Sequence, residues 1–326
     1  MIGVGALGRH HARLYASLPG VRLVGVHDAD PERGRAVASE LGARFHATLG
    51  ELAGAVDLAS VAVPTHSHAA VAGALLEAGC DVLVEKPMTA TLAEADALIE
   101  QAHRLGRTLQ VGHVERFNPA LDALRDLGVA PRFVEVHRLG SFSARSLDID
   151  VVQDLMIHDL DIVLSLDSSE VVQLDAVGVP VLTPRVDIAN ARLRLASGLI
   201  ANLTASRVSM DRVRKFRIFA PRTYVSMDLA ARAAQVYRLR EGDGEGPRID
   251  AQSFSAPGEE PLARQLAAFA RAVRERTRPV VSGEDGRRAL RFAQRIAEAM
   301  RASDVAGAPV GGAAGRRRLE SSGGEA

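Results

Sequence analysis

The run Gly3-Val4-Gly5-Ala6-Leu7-Gly8 restricts the folds open to this chain more than any other segment. It has the G-x-G-x-x-G spacing and leads into a helical pattern over residues 9–18. The first glycine permits a tight turn, the second lets the backbone approach a pyrophosphate, and the third lets helix and strand pack closely. Ala6 and Leu7 belong to the same loop, and the helix N-terminus beyond it offers unpaired N–H groups and positive potential to phosphates. A strand pattern over 21–27 then ends at Asp28, 20 residues past Gly8, where an acid accepts hydrogen bonds from an adenosine ribose. Asp28 would repel a 2′-phosphate, so the pattern predicts NAD over NADP as cofactor.

The first strand departs from this scheme. It should lie mid-sheet and hold about five residues, yet only Met1 and Ile2 precede the glycines. The expectation is a natural chain that starts several residues upstream, or a shortened form here. Restoring an upstream strand should then raise thermal stability and NAD affinity.

Up to about residue 118, short apolar runs alternate with amphipathic stretches. Strands are expected at 58–63, 82–84 and 108–111, and helices at 31–41, 68–77 and 92–105. This rhythm means βαβ units and a parallel sheet covered on both faces. Right-handed crossovers make that sheet doubly wound. After about residue 130 the runs become longer and β-rich, at 133–138, 171–181, 187–195, 199–207, 216–220, 223–228 and 235–239. Turn signals such as Ala196-Ser197-Gly198 join them as antiparallel neighbours. One helix, 152–166, interrupts this pattern, and two more, 261–276 and 286–302, follow it.

The expected organisation is therefore an α/β Rossmann domain over 1–118 and an α+β domain with a large, mostly antiparallel open sheet over 119–302. A disordered tail over 303–326 follows, rich in Gly, Ala, Ser and charge, with Arg316-Arg317-Arg318 as its basic cluster.

At 326 residues the chain is long enough for two cores. Forty basic residues balance 40 acidic ones, so no net field draws the protein to nucleic acid or an anionic membrane. A small molecule is the expected partner. The single cysteine, Cys80, has no disulfide or metal-ligand companion and fits a reducing cytoplasm. No uninterrupted apolar stretch reaches the roughly 18 residues of a membrane span.

Three further clusters carry chemistry. Glu85-Lys86-Pro87 follows the apolar run Val82-Leu83-Val84, and a lysine at the C-terminal end of a parallel strand points into the ligand crevice of such sheets. Pro64-Thr65-His66-Ser67-His68 closes the preceding strand at the same edge. The loop is expected to bind the cofactor through Pro64, Thr65, His66 and His68, with Thr65 and His66 suited to its ribose or diphosphate, although His66 and His68 equally suit a helix start. On a helix, Asp154 and His158 stand one turn apart, so the carboxylate can orient the imidazole as a general base. A shared cation or a structural pair are the rival explanations, and no third metal ligand at recognisable spacing accompanies them.

In this order the glycine run, Asp28, Glu85-Lys86-Pro87 and Asp154-x-x-x-His158 resemble the glucose-fructose oxidoreductase / inositol dehydrogenase family of NAD(P)-dependent sugar dehydrogenases. The resemblance reaches to about residue 302. It implies active-site roles for Lys86, Asp154 and His158, and a Lys86-Pro87 bond that is often cis. Within the family, Gly112-His113-Val114-Glu115-Arg116-Phe117-Asn118-Pro119, Met156 and Ala205-Ser206-Arg207-Val208-Ser209 look like the UDP-N-acetylglucosamine 3-dehydrogenase branch.

On that basis His158 takes the hydroxyl proton with Asp154 orienting it, Lys86 stabilises the developing negative charge and relays the proton, Glu85 anchors the lysine, and Glu85 and Lys86 also border the cofactor. Arg116 and Asn118 hold substrate. Arg207, Arg212, Arg214, Lys215 and Arg217 gather five cations in 11 residues, enough for the diphosphate of a UDP-sugar, although a basic strand facing solvent or a subunit neighbour explains them as well. A free-sugar or inositol dehydrogenase and a non-catalytic NAD-binding sensor remain alternatives. Large exposed sheets also predict a homodimer or homotetramer.

Overall fold

The computed structural model describes residues 1–124, 128, 130–142, 149–241 and 246–306, with backbone alone for 303–306. In chain order the first elements are α1 (Ala6–Ser17), β1 (Gly25–Val26), α2 (Pro31–Leu41), β2 (Arg44–Phe45), α3 (Leu49–Ala53), β3 (Leu58–Val61), α4 (His68–Glu77), β4 (Asp81–Glu85), α5 (Leu92–Leu105) and β5 (Leu109–Gly112). The helix ends follow from local chemistry. Asp30 caps α2 by accepting from Glu32 N and Arg33 N, Pro31 opens it, and Gly42 closes it in the left-handed region. Thr91 and Glu94 form a reciprocal capping box on α5, which Gly106 ends in the same way.

These strands are all parallel where they pair. Ile2 bridges His27 on one side and Val61 on the other, in parallel. A single residue thus stands in place of the central strand and joins β2-β1 to β3-β4-β5. Read across, the order is that of a doubly wound dinucleotide-binding sheet. The strand expected over 21–27 shrinks to Gly25–Val26.

The second half contains β6 (Phe133–Leu139), α6 (Ile157–Leu166), β7 (Val171–Val179), β8 (Ile188–Leu195), β9 (Ile200–Ser206), β10 (Val213–Ala220), β11 (Thr223–Asp228), β12 (Ala233–Arg240), β13 (Arg248–Ser255), α7 (Pro261–Glu275) and α8 (Gly283–Ala306). Eight strands form one open sheet in the order β13-β12-β11-β10-β6-β9-β8-β7. Every pairing is antiparallel except β6 with β9. Strand β13 lacked a sequence signal because it is an edge strand of polar residues, mostly exposed.

One face of this sheet is apolar: Val134, Val136, Ala201, Leu203, Phe216 and Ile218 bury against Met156, Ile157, Leu160 and Phe292 of the covering helices. The other face is open. Helix α7 returns to the first sheet, where Leu262, Leu266, Phe269 and Val273 pack with Tyr15 and Leu83. Helix α8 begins at Gly283, three residues before the expected 286, because Ser282 and Asp285 exchange capping hydrogen bonds. It runs to Ala306, so the start of the expected tail is helical. The rest of that tail, 307–326, lies outside the described residues. The helix expected over 152–166 is two elements: a π-helix, Val152–Met156, and then α6.

Candidate active site

The candidate cofactor cradle is where the C-terminal edge of the parallel sheet meets α1. Gly3 sits at φ +75°, and a Cβ on it would lie 2.6 Å from Ala62 O. A Cβ on Gly8 would lie 1.8 Å from Gly3 O, so only glycine lets α1 approach the strand. Gly5 has nothing within 4 Å of the position its Cβ would take, and it caps α1 with no side-chain hydrogen bond. Open space in front of an uncapped helix N-terminus suits a pyrophosphate. Ala6 and Leu7 are exposed at the same rim.

Asp28 is buried beside this loop, and its carboxylate accepts from Val4 N at 2.7 Å and Asp30 N at 2.8 Å. It also takes two hydrogen bonds from Arg33, at 3.1 and 2.7 Å. Although burial alone would raise its pKa, these donors hold it below the usual carboxylate value. These residues fit a dinucleotide.

Pro64 and the short 3₁₀ turn Thr65–Ser67 border the cradle, with Pro64 and His66 exposed. His68 departs from the expected cofactor role. It is buried, with ring nitrogens 2.9 Å from Pro87 O and 2.9 Å from Val63 O; burial lowers its pKa, and the single N–H of the neutral ring donates to one of these two loop carbonyls.

Lys86 leaves the end of β4, whose residues are all buried. The Lys86–Pro87 peptide is cis. Lys86 Nζ donates to the main-chain oxygen of Asp154 at 2.7 Å and stands 3.5 Å from Asp154 Oδ1. Burial lowers the ammonium's pKa, while the charges of Asp154 and Glu85 oppose that shift. The expected Asp154–His158 contact is absent among the described hydrogen bonds. Asp154 faces the buried cation, which has the stronger claim on a carboxylate.

Glu85 does not hold the lysine head group either. Its carboxylate lies 3.2 Å from His11 Nε2 on α1 and accepts the Lys86 backbone N–H at 3.3 Å.

His158 has Nδ1 buried without a hydrogen-bond partner. Its pKa is pushed well below the ordinary value by burial first, then by the charges of Lys86, Arg138, His113 and Arg214. The ring is therefore neutral at pH 7, and burial with the neighbouring cations makes it a weaker base than a free imidazole. His113 stands edge-on to it, with ring centroids 6.1 Å apart and planes at 88°. Burial pushes His113 down to about 3.

Beneath these rings lies a buried charge network that motif spacing did not show. Arg138 donates to Asp159 at 2.8 and 2.7 Å and to Glu115 at 2.9 Å. The three members come from different elements: Arg138 from β6, Asp159 from the first turn of α6 beside His158, and Glu115 from the segment after β5. One signal was available, since Arg138 occupies an inward position of a strand whose other inward residues, Val134 and Val136, are apolar.

Three expected substrate residues take structural places. Asn118 is buried, donates to Glu115 Oε2 at 3.0 Å and Leu229 O at 2.8 Å, and accepts from Ala120 N at 3.1 Å. Arg116 pairs with buried Asp161 at 3.2 Å. Arg207 is buried, donates to Ile149 O at 2.5 Å and lies 3.6 Å from Asp187 Oδ1. In each case a buried polar group finds its partner within the fold, as burial requires.

Residues 1–113 match a family described as oxidoreductases with an NAD-binding Rossmann fold, GFO_IDH_MocA. The chain is 40% identical over 304 residues, 93% of its own length and 96% of the relative's, to UDP-N-acetylglucosamine 3-dehydrogenase of Acidithiobacillus ferrooxidans. A solved structure of that enzyme superimposes with a TM-score of 0.86 over 92% of this chain and 96% of that one. Inositol 2-dehydrogenase 1 of Saccharopolyspora erythraea is 39% identical over 190 residues, 53% of this chain and 55% of that protein. Similarity that spans both sheets, together with a glycine cradle fitted to a dinucleotide, makes this chain a member of the glucose-fructose oxidoreductase / inositol dehydrogenase family of NAD-binding oxidoreductases.

Proposed function

We propose that the protein oxidises a secondary hydroxyl of a nucleotide sugar, C3 of a UDP-N-acetylglucosamine-type substrate, to the 3-keto sugar. The observation that carries this is the meeting of Lys86, from the cofactor sheet, with the helix that bears Asp154 and His158. The name of the Acidithiobacillus relative, similar over nearly its whole length, supports the substrate. Residues 1–118 hold the cofactor and 119–302 the sugar.

Bound NAD supplies the acceptor for the hydride that leaves the carbinol carbon. Gly3, Gly5, Gly8, Asp28, Thr65 and His66 hold it. His158, neutral at pH 7, takes the hydroxyl proton, so the alcohol loses a hydride and a proton as the carbonyl forms. Lys86 donates a hydrogen bond to the same oxygen and stabilises its developing negative charge. Asp154 restrains Lys86 and keeps it charged.

The test is NAD reduction by the full-length protein across UDP-N-acetylglucosamine, N-acetylglucosamine and myo-inositol, with products identified by mass. Preferential turnover of the UDP-sugar, lost by about 10²–10⁴-fold in His158→Ala, is expected. Turnover of inositol alone would replace the substrate, and wild-type kcat in His158→Ala would remove the base.

The same proposal includes a cytoplasmic homodimer or homotetramer. On the open sheet face, cross-strand register aligns Phe133, Phe219, Tyr224 and Tyr237 in one stacked row, with Ile200 beside Phe133. Such a row suits a symmetric contact between copies. Light scattering of the wild type and Tyr224→Glu checks it, a shift to monomer being expected in the variant.

A further inference from the structure

The five cations of residues 207–217 separate once strand β10 is in place. Arg207 is buried in contacts of its own. Arg212 precedes the strand and is exposed. Along β10 side chains alternate, and the buried Phe216 and Ile218 define the face covered by α6. Lys215 and Arg217 project from the opposite face, where Arg217 meets Glu135 at 3.1 Å. Arg214 shares the parity of Phe216, so of the three cations on β10 it alone projects on the α6 side.

There the register sets Arg214 directly opposite Arg138. The two differ in how well they are paired. Arg138 donates three short hydrogen bonds, two to Asp159 and one to Glu115, at 2.7–2.9 Å. The Arg214 guanidinium has one hydrogen bond among the described residues, a stretched 3.4 Å contact from Nη1 to Glu115 Oε1. That oxygen already accepts from Arg138, and the other oxygen of Glu115 accepts from Asn118. The guanidinium therefore keeps most of its five N–H donors free. Its side chain is 33% exposed; through Arg138 opposite it, which holds Asp159 next to His158, it lies on the His158 side of the sheet, and its charge is the smallest of those that depress that ring's basicity. An under-paired arginine fork beside the reacting group, open to solvent, matches a phosphate or carboxylate better than a neutral hydroxyl.

We propose that Arg214 binds the anionic group of the substrate, the diphosphate in the nucleotide-sugar case, and so selects charged sugars over neutral polyols. This rests on the substrate proposed above and assigns its recognition to one side chain. Glu115 acts as the positioning residue: it orients the guanidinium without satisfying it.

The experiment is calorimetric titration of UDP and of uridine into the NAD-loaded full-length protein. It compares the wild type, Arg214→Met, Arg214→Lys and the open-face control Arg217→Ala. Arg214→Met should weaken UDP by about ten- to a hundredfold and leave uridine and NAD unchanged. Arg214→Lys, which keeps the charge but loses the fork, should fall between, and Arg217→Ala should match the wild type.

In steady state the loss should appear in KM for the UDP-sugar, with KM for NAD unaltered. Equal UDP affinity in the wild type and either Arg214 variant would overturn the assignment alone. No binding of UDP by the wild type, with turnover of a neutral sugar, would overturn the nucleotide-sugar substrate and this assignment together. If Arg214→Met does not fold, the Lys variant and its KM decide.

Discussion

Lys86 reaches Asp154 twice: its Nζ donates to the main-chain oxygen at 2.7 Å and lies 3.5 Å from the carboxylate. The main-chain contact depends on the π-turn of Val152–Met156, which carries Asp154. A π-turn within a helix is uncommon and tends to occur at functional sites. Here it brings a carbonyl and a carboxylate of one residue to a buried ammonium.

Asp154→Asn keeps the main-chain contact and removes the negative charge. Opposite charge favours the ammonium, so its loss lowers the Lys86 pKa further in the direction burial already drives it. The protonated lysine is then lost at lower pH. The alkaline limb of the kcat profile should move to lower pH in Asp154→Asn, and an unmoved limb would separate Lys86 from the chemical step.

Gly5 and Gly8 make opposite predictions. A methyl at Gly8 collides with Gly3 O, whereas one at Gly5 meets nothing within 4 Å. Gly8→Ala should lower the thermal midpoint and NAD affinity together. Gly5→Ala should leave the midpoint unchanged and still weaken NAD, because its methyl enters the proposed pyrophosphate space. Unfolding midpoints and NAD fluorescence titrations of both variants test this, and unchanged NAD affinity in Gly5→Ala would move the phosphate site elsewhere.

Arg138→Met leaves Glu115 and Asp159 buried without their shared cation. Breaking a buried ion network from one side costs about 3–5 kcal/mol. Chemical denaturation should show a loss of that size. Adding Glu115→Gln and Asp159→Asn to the same chain should restore part of it, since the stranded charges are then gone.

Asp161 gives a pH dependence of stability. Burial raises its pKa from the ordinary 3.8 to about 7, against the pull of Arg116. Between those values the folded chain keeps a proton that the unfolded chain has lost. Protonation therefore favours folding, and this contribution falls as pH rises from about 4 through about 7. Asp161→Asn cannot titrate. Its denaturation midpoint should change less between pH 5 and pH 8 than that of the wild type, and parallel behaviour of the two would refute the assignment.

Helices α2, α4 and α5 match their sequence expectations to the residue. For α2 and α5 the stop signals are local: Asp30 and Gly42 in one, Thr91, Glu94 and Gly106 in the other. Strands β2 and β13 escaped notice for the opposite reason. The first is two residues long, and the second is polar and held only by its neighbour β12. Within the site, the glycine loop, Asp28 and Lys86 were legible because each sits at a strand end whose direction the βαβ rhythm already sets. Arg138, Asp159 and Glu115 were not, because their pairing joins three segments far apart in the chain.

The sequence by itself determined the doubly wound sheet, the glycine turn at the start of α1 and the position of Lys86 at a strand end, all consequences of short-range periodicity and turn chemistry. Only the tertiary structure decided which charges are spent. Arg207, Arg116 and Asn118 read as ligands of a substrate, yet the fold gives each a partner of its own, burying Arg207 and Asn118 outright, while Asp154 turns from His158 to Lys86. A buried polar group takes whatever partner the packed fold brings within hydrogen-bond reach. That partner is set by strand register and helix packing, which a linear pattern does not contain.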